Sequence, residues 1–295
     1  MGVAREVDLF IREAATVEER LRRPAVAACF GGVDENPGRC SHFTKYSALS
    51  ASLKTDAIVL RTIRYGEADR VLHLYAPDHG RIGAIAKGVR RAKSRFGGRI
   101  EPFFRLRLVL HVGRSDLYTV TAAETIEAYP RLREDGRALD AAARACEAVA
   151  RMFDDGDPHP GVYNLLANEL ALIDGDVRHA SRANALAFRA KLLLAAGFAP
   201  QLAGCASCGE RDHLSGYSGA AGGVVCGACE ASAFPLDQEA HEFLVGALGR
   251  PLAQAPDASP RALGQAERAL LETLEHHAGV RLRPAGARMA AAPGG

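Results

Sequence analysis

Four cysteines in the C-terminal half are the residues of this 295-residue chain whose spacing most clearly indicates chemistry. They form two C-x2-C pairs, Cys205 with Cys208 and Cys226 with Cys229, separated by seventeen residues. Two intervening residues let both thiolates of a pair face one ion, and two pairs complete the tetrahedral sulfur shell that suits Zn2+. Because such a shell leaves no open position for substrate, the pattern predicts one structural zinc ion per chain.

The other interpretations of the cysteines are weaker. A thioredoxin-like redox pair is the chemical alternative, but two matched pairs argue against it, and His213 is close enough in sequence to replace one thiolate. Cys146 is interpreted as a core residue, while Cys29 and Cys40 receive no role. An odd total of seven cysteines, with four crowded together, indicates a reducing compartment rather than a disulfide scaffold.

A run of positive charge is the second chemical feature. Residues 81–114 contain ten Lys or Arg and one acid, Glu101, although the net charge of the chain is only +2. Such a field attracts polyanions, whereas a solvated charged loop, the alternative, usually mixes signs. We therefore predict nucleic-acid binding through phosphate contacts that are largely independent of sequence. The predicted contact residues are Lys87, Arg90, Arg91, Lys93, Arg95, Phe96, Arg99, Arg105 and Arg107.

Within that set the residue types suggest different tasks. The cations of the densest stretch, residues 87–99, would neutralise phosphates, and Phe96 would offer one surface for base stacking. Arg105 and Arg107 would extend the basic track along the polar face of the next strand. Glu67 and Asp69 lie between Arg64 and Arg70, and surface ion pairing explains them at least as well as acid–base chemistry.

The elements that must position these residues begin with strands. Between residues 51 and 128, five short apolar runs with period-two alternation are separated by turns, several of which carry Gly, and they predict a small closed or half-closed barrel. Its size is typical of an OB-fold, with an SH3-like barrel as the competing interpretation. The densest basic stretch then forms a loop between two barrel strands.

From residue 129 to 283 the apolar period becomes 3.6 and predicts an α-helical domain, interrupted by the zinc segment at residues 205–229. Pro160 and the Ser259-Pro260 pair are helix-start signals. The chain is thus predicted to be an α+β multidomain protein with an N-terminal OB-fold. One predicted helical face consists of Leu139, Ala143, Cys146, Val149 and Phe153.

The two ends of the chain lack such patterns. Residues 1–50 are interpreted as a poorly ordered extension or an over-called translation start, with a regulatory arm as the alternative, and residues 284–295 as a disordered tail. No apolar run approaches the ~20 residues of a membrane helix, and the longest apolar run of the first thirty residues, Ala25–Phe30, is too short for a secretory signal. We expect no membrane contact, a cytoplasmic and nucleoid-associated location, and, since no catalytic constellation stands out, a protein that is not an enzyme.

Four successive motifs closely resemble the RecO family of bacterial recombination mediators. They are DAIVLR at residues 56–61, GEADR at 66–70, AKGVRR at 86–91 and SRFGGRIEPF at 94–103, and the similarity extends from residue 52 to 283. The resemblance implies an N-terminal OB-fold and an α-helical domain with a zinc-binding segment. It also implies binding to single- and double-stranded DNA, annealing of complementary strands and cooperation with RecR. Members help load RecA onto strands coated by single-strand-binding protein (SSB), and some contact its acidic C-terminal tail.

Two other functions fit parts of the pattern. An RNA-binding barrel with a zinc ribbon is one, because backbone contacts hardly distinguish RNA from DNA. A zinc-finger DNA glycosylase is the other, but those enzymes use an amino-terminal Pro as nucleophile, whereas Gly2 follows Met1 here. Their finger also lies near the C-terminus, whereas sixty-six residues follow Cys229.

Overall fold

The structure, a computed structural model, describes residues 52–91, 93–94, 96, 98–113, 117–229 and 233–285. The predicted extension at residues 1–50 and residues 286–295 of the predicted tail lie outside these ranges. The barrel and the helices described below belong to one compact unit. No helix in the described ranges is long and apolar enough to cross a membrane.

A five-stranded barrel forms the N-terminal part of this unit. The strands close in the order β1-β2-β3-β5-β4, with β1 also pairing β4 and with β3 running parallel to β5. This order is the Greek-key arrangement of an OB-fold, so the predicted barrel is confirmed. The strands are β1 (Ser52–Tyr65), β2 (Asp69–Ala76), β3 (Gly80–Ala86), β4 (Arg105–His111) and β5 (Tyr118–Glu127).

Alternation along each strand decides which side chains fill the barrel. Val59, Leu72 and Leu108 point inward and are fully buried, as the period of two requires. The β3–β4 loop adds Phe96 and Ile100 to the same core. The loop that carries the basic residues is therefore also part of the barrel core.

The outer face of β1 and β2 packs against the helices. Ile58, Leu60 and Tyr75 belong to the helical core, and the ring of Tyr75 meets that of Phe153 edge-on at 6.1 Å. Strand β1 thus contributes alternate residues to two cores. This shared strand joins the barrel to the helical domain.

The helical domain consists of five α-helices whose starts follow the signals in the sequence. Pro160 stands in the first turn of its helix, and Ser259 Oγ accepts a hydrogen bond from the Ala262 N–H at 3.2 Å. Asp135 caps the first helix in the same way. The helices are α1 (Gly136–Met152), α2 (Pro160–Gly175), α3 (Arg182–Ala195), α4 (Gln238–Gly249) and α5 (Pro260–Thr273).

The predicted apolar face of α1 is wrong at its first residue. Leu139 is 42% exposed, and the buried stripe begins one residue earlier, at Ala138. Small side chains let the neighbouring helices approach α1 closely, which a periodicity led by the larger Leu does not reveal. The buried residues of α1 are Ala138, Ala141, Ala142, Ala145, Cys146, Ala148 and Val149.

One buried carboxyl lies inside this helical core. The Glu169 side chain on α2 is buried, and both of its oxygens accept from Asn184 Nδ2 on α3, at 2.8 and 3.0 Å. Burial raises the pKa of Glu169 to about 8, against the smaller opposing effect of the Asn184 hydrogen bond. Asn184 Oδ1 is also buried and has no hydrogen-bond partner in the described structure.

This pKa shift predicts a specific pH dependence of stability. Because the folded pKa lies above the unfolded value of 4.5, the contribution of Glu169 is fully present below about pH 4.5 and is lost as pH rises through about 8. Glu169→Gln mimics the protonated carboxyl, so its melting temperature should fall less than that of the wild type between mildly acidic and alkaline buffers. Calorimetric melting across this range measures the difference. The exposed Glu124→Gln is the control, and equal alkaline losses in all three proteins would contradict the prediction.

Candidate nucleic-acid interface and metal centre

The basic loop, residues 87–104 between β3 and β4, is held at its start by the β1–β2 turn. Asp69 Oδ1 accepts from the Gly88 N–H at 2.7 Å, and the Ala68 carbonyl accepts from the Arg90 N–H at 2.9 Å. Asp69 therefore anchors the loop backbone, a role that its interpretation as a surface ion-pairing residue did not include. The GEADR and AKGVRR motifs, distant in sequence, are in contact here.

The far end of the basic loop is held by the next residue of the hairpin. Arg70 Nη1 donates to the Ile100 carbonyl at 3.1 Å and to Glu101 Oε1 at 2.8 Å. Glu101 is the one acid of residues 81–114, and its carboxylate is used in this anchor. The contact leaves the loop cations without a neutralising contribution from Glu101.

Most of the predicted phosphate-binding cations lie on the surface of this loop. Their exposure is what phosphate contacts require, because a buried guanidinium cannot reach a DNA backbone. Arg95 lies outside the described residues. The exposed ones are Lys87, Arg90, Arg91, Lys93 and Arg99.

The predicted stacking role of Phe96 is corrected by the structure. Its side chain is 2% exposed and packs in the barrel core, so the ring offers no surface to a base. The loop sequence alone does not reveal whether an aromatic ring faces inward or outward.

The two arginines of β4 have different surroundings. Arg105 donates from Nε to the Tyr163 hydroxyl at 3.1 Å, which ties the barrel to α2. Arg105 is half-buried, and its predicted place in the DNA track stays a prediction. Arg107 is exposed, and its Nε donates to Asp56 Oδ1 at 3.1 Å. It can contribute to the track only in competition with this surface ion pair.

The outward face of the β1–β2 hairpin carries residues that sequence reasoning missed. Tyr65 is 59% exposed and Ile63 45% exposed. Tyr65 pairs with Asp69 across the strands, so its side chain shares a face with the carboxylate that holds Gly88. In OB-folds the face around strands 2 and 3 and the β1–β2 loop bind oligonucleotides, and that rule, applied to the predicted strands, could have found Tyr65.

The four cysteines of the predicted zinc site lie together. Their sulfur atoms are all within 4.8 Å of one another, and Cys208 Sγ lies 3.7 Å from Cys226 Sγ. A tetrahedral shell with Zn–S bonds of ~2.3 Å places sulfurs about 3.8 Å apart. The arrangement therefore fits a zinc ion held by Cys205, Cys208, Cys226 and Cys229. His213 is exposed and is not part of this group.

Tight turns bring the two cysteines of each pair to one side. Gly209 donates its N–H to the Cys205 carbonyl at 2.8 Å with a φ of +82°, a conformation that favours glycine. Cys229 donates its N–H to the Cys226 carbonyl at 2.9 Å. The C-x2-C spacing is thus sufficient to form each half of the site.

The thiols of the group differ in acidity. Backbone hydrogen bonds lower the pKa of the Cys205 thiol to about 6, and the hydrogen bond with the Cys226 backbone has the largest effect. Hydrogen bonds to neighbouring sulfurs raise the pKa of the Cys229 thiol to about 12, and the hydrogen bond with Cys208 has the largest effect. One thiolate is therefore favoured near neutral pH, and a divalent cation would supply the positive charge that ionisation of the others requires.

A small sheet attaches this site to the helices. It consists of β6 (Leu214–Ser218), β7 (Gly223–Cys226) and β8 (Phe234–Pro235), in the order β7-β6-β8. Tyr217 on β6 is fully buried, and its hydroxyl hydrogen-bonds Thr273 Oγ1 on α5. Loss of the metal should therefore disturb the packing of α5.

Comparison with known proteins identifies what the chain is similar to. The model "Recombination protein O N terminal" matches residues 50–129, and "Recombination protein O C terminal" matches residues 133–284. DNA repair protein RecO of Rubrobacter xylanophilus is 38% identical over 227 residues, 74% of this chain and 88% of that protein. That of Geobacter sulfurreducens is 34% identical over 216 residues, 72% and 88% respectively. That of Bifidobacterium adolescentis is 41% identical over 180 residues, 59% and 72%.

The first prediction for this site concerns the metal. Elemental analysis of protein purified in reducing buffer should find about one zinc per chain, and Cys226→Ser/Cys229→Ser should lose it. The double variant should also melt at least about 4 °C lower, because the β6–β7 sheet packs on α5. Cys146→Ala is the control, since it removes a cysteine from the core and should keep the zinc. Absence of zinc in the wild type, or unchanged zinc in the double variant, would refute the assignment.

Proposed function

The chain belongs to the RecO family of DNA repair proteins, and on that premise we propose that it is a recombination mediator. It binds single- and double-stranded DNA and anneals complementary strands. With RecR it helps load RecA onto single strands coated by SSB. It acts by binding and not by catalysis, and its zinc ion, one per chain, is structural.

The observation that supports this proposal most directly is the anchored, exposed basic loop. Annealing brings two polyanions together, and each strand resists through its phosphates. A loop with Lys87, Arg90, Arg91, Lys93 and Arg99 on its surface can neutralise several phosphates and release their counterions. Because such contacts carry no sequence information, they suit a protein that must anneal any pair of strands.

The partners divide between this loop and other surfaces. DNA is assigned to the barrel and its loop. RecR and the acidic C-terminal tail of SSB are proposed as direct protein partners, and RecA as an indirect one. The contact with the SSB tail need not use the loop, so binding of the tail by a loop variant is measured separately from its DNA binding.

Charge reversal on the loop tests its role in DNA binding. Arg90→Glu/Arg91→Glu should weaken binding to all sequences alike. It should also flatten the plot of log affinity against log salt, by about 0.7 for each single-strand phosphate that the variant no longer neutralises. Annealing of protein-free strands should fall in parallel, with zinc content and melting temperature unchanged. A salt titration of single-strand binding with annealing rates measures both effects.

The matched control places the same charge change on the helical domain. Arg250→Glu/Arg261→Glu reverses two exposed cations of the α4–α5 region and should leave the salt slope unchanged. Equal slopes and equal annealing in all three proteins would mean that the loop is only a solvated charged surface. Unlabelled RNA as competitor in the same assay separates a DNA-binding from an RNA-binding barrel.

The mediator role needs its own measurement. The protein with RecR should accelerate both annealing of SSB-coated complementary strands and assembly of RecA on SSB-coated single strands. The expected result is a gain in both rates over either protein alone. Annealing of bare strands with no effect on SSB-coated ones would contradict the mediator proposal and leave only DNA binding.

A further inference from the structure

A cleft of about 660 Å3 lies between the barrel and helix α1. Arg61, His73 and Arg81 line it from the barrel, and Arg151 and Arg283 from the helical side. Leu60, Phe103 and residues 143, 146 and 150 of α1 supply apolar surface. Its volume is in the range of pockets that hold small organic ligands, ~300–1,000 Å3.

The charges of the cleft leave an excess of cations. Its two acids are already paired, Glu147 with Arg151 at 2.9 Å and Asp155 with Arg81 at 2.5 Å. Arg61 makes no ion pair with any carboxylate in the described ranges. Its guanidinium instead lies 3.2 Å from His73 Nε2. Because a guanidinium only donates, His73 Nε2 accepts this hydrogen bond as a neutral imidazole, and the positive charge of Arg61 stays available to an anion.

The side of the cleft formed by Phe103 is held in an unusual conformation. Phe103 has a φ of +73°, which is rare for a bulky residue. Two backbone hydrogen bonds hold it there, from Phe103 N–H to the Val59 carbonyl at 2.7 Å and from Val59 N–H to the Phe104 carbonyl at 2.9 Å. Backbone strain of this kind concentrates at ligand sites, where surrounding contacts maintain it.

The cleft is continuous with the exposed face of the β1–β2 hairpin. In the strand register Tyr65 pairs with Asp69, Ile63 with Val71 and Arg61 with His73, so these pairs lie in a row on one face. The row runs about 13 Å along β1, at ~3.3 Å per residue. One end meets the basic loop through the bond from Gly88 to Asp69, and the other end opens into the cleft.

This row has the composition of a single-strand-binding surface. Cations stand at both ends, on the basic loop and at Arg61, and the exposed side chains of Tyr65 and Ile63 stand between them. Proteins that bind single strands combine a positive groove along the phosphates with aromatic rings on which bases stack. A duplex cannot use such a surface, because its bases already stack on one another.

We propose that single-stranded DNA follows this row from the basic loop into the cleft, with a base stacked on Tyr65 and a phosphate bound by Arg61. The proposal rests on the proposed function, in which the basic loop binds DNA. It assigns the preference for single strands to the hairpin face and the cleft, while the loop serves both single strands and duplex. The cleft itself has room for about one or two nucleotides.

Separate substitutions in the full-length protein test this path. Tyr65→Ala should lower the affinity for oligothymidylate by about fivefold or more, the least that loss of one stacked base implies. Arg61→Glu should lower it as well, because it replaces a phosphate contact with a like charge. The affinity of both variants for a blunt duplex of mixed sequence should change by less than about twofold, a difference within the scatter of the method. Both substituted side chains are exposed, so melting temperatures should be unchanged. Tyr65→Phe keeps the aromatic ring and should bind single strands as the wild type does. Arg250→Glu is the charge-matched control for Arg61→Glu.

The outcomes separate this path from the function on which it rests. If Arg90→Glu/Arg91→Glu weakens DNA binding but Tyr65→Ala and Arg61→Glu do not, the path is overturned and the basic loop keeps its proposed role in DNA binding. Equal losses on oligothymidylate and duplex would also overturn it. If Arg61→Glu abolishes binding of a polyglutamate peptide and leaves oligothymidylate unaffected, the cleft is a peptide site and not a DNA path. If no variant changes DNA binding, the path and the role of the basic loop both fail. If the wild-type protein binds neither oligothymidylate nor duplex, the proposed function itself fails.

Discussion

The anchoring of the basic loop on the β1–β2 hairpin is the constraint on which the rest of the interface depends. Several like charges on one loop repel one another and would favour an extended, mobile segment. Asp69 and Arg70, adjacent on β2, oppose this by fixing the loop at Gly88 and at Ile100–Glu101. The apolar side chain of Phe96 adds barrel-core packing between these two points. The cations are thereby presented at fixed positions, and the cost of ordering the loop is met during folding and not when a ligand binds.

The helical domain holds the other side of the interface in place. A buried network centres on Glu267, which accepts from Arg182 at 2.6 Å and from Arg189 at 3.4 Å. Glu267 also accepts from the Ala285 N–H, and Arg189 donates to the Arg283 carbonyl. These bonds fasten residues 283–285 across the helices and bring the Arg283 side chain to the cleft. Removing one partner would leave an uncompensated buried charge and would destabilise this arrangement.

The molecule thus places charge, apolar surface and the cysteine group on separate elements. An exposed loop carries the charge, and a neighbouring sheet face carries the aromatic and aliphatic surface. The cysteine group lies on a separate small sheet whose buried Tyr217 bonds α5, and it serves the fold of the helical domain. The strand β1 belongs to both cores, so the barrel and helices support one another. Exposed residues of the loop and of the sheet face can then be substituted without disturbing the packing of the two cores.

Local patterns in the sequence determined the barrel strands, the helix starts and the cysteine group. Period-two and 3.6-residue alternation act over a few residues, a Ser or Pro cap needs only the next turn, and a C-x2-C pair places its own thiols. Tertiary structure alone decided that Phe96 faces inward, that Arg105 contacts Tyr163 and that Leu139 is exposed. Only the fold brings Arg61 and Phe103 to one cleft with α1. The orientation of a loop side chain and the contact between distant segments depend on which surfaces pack together. Residue spacing within a single segment does not determine that packing.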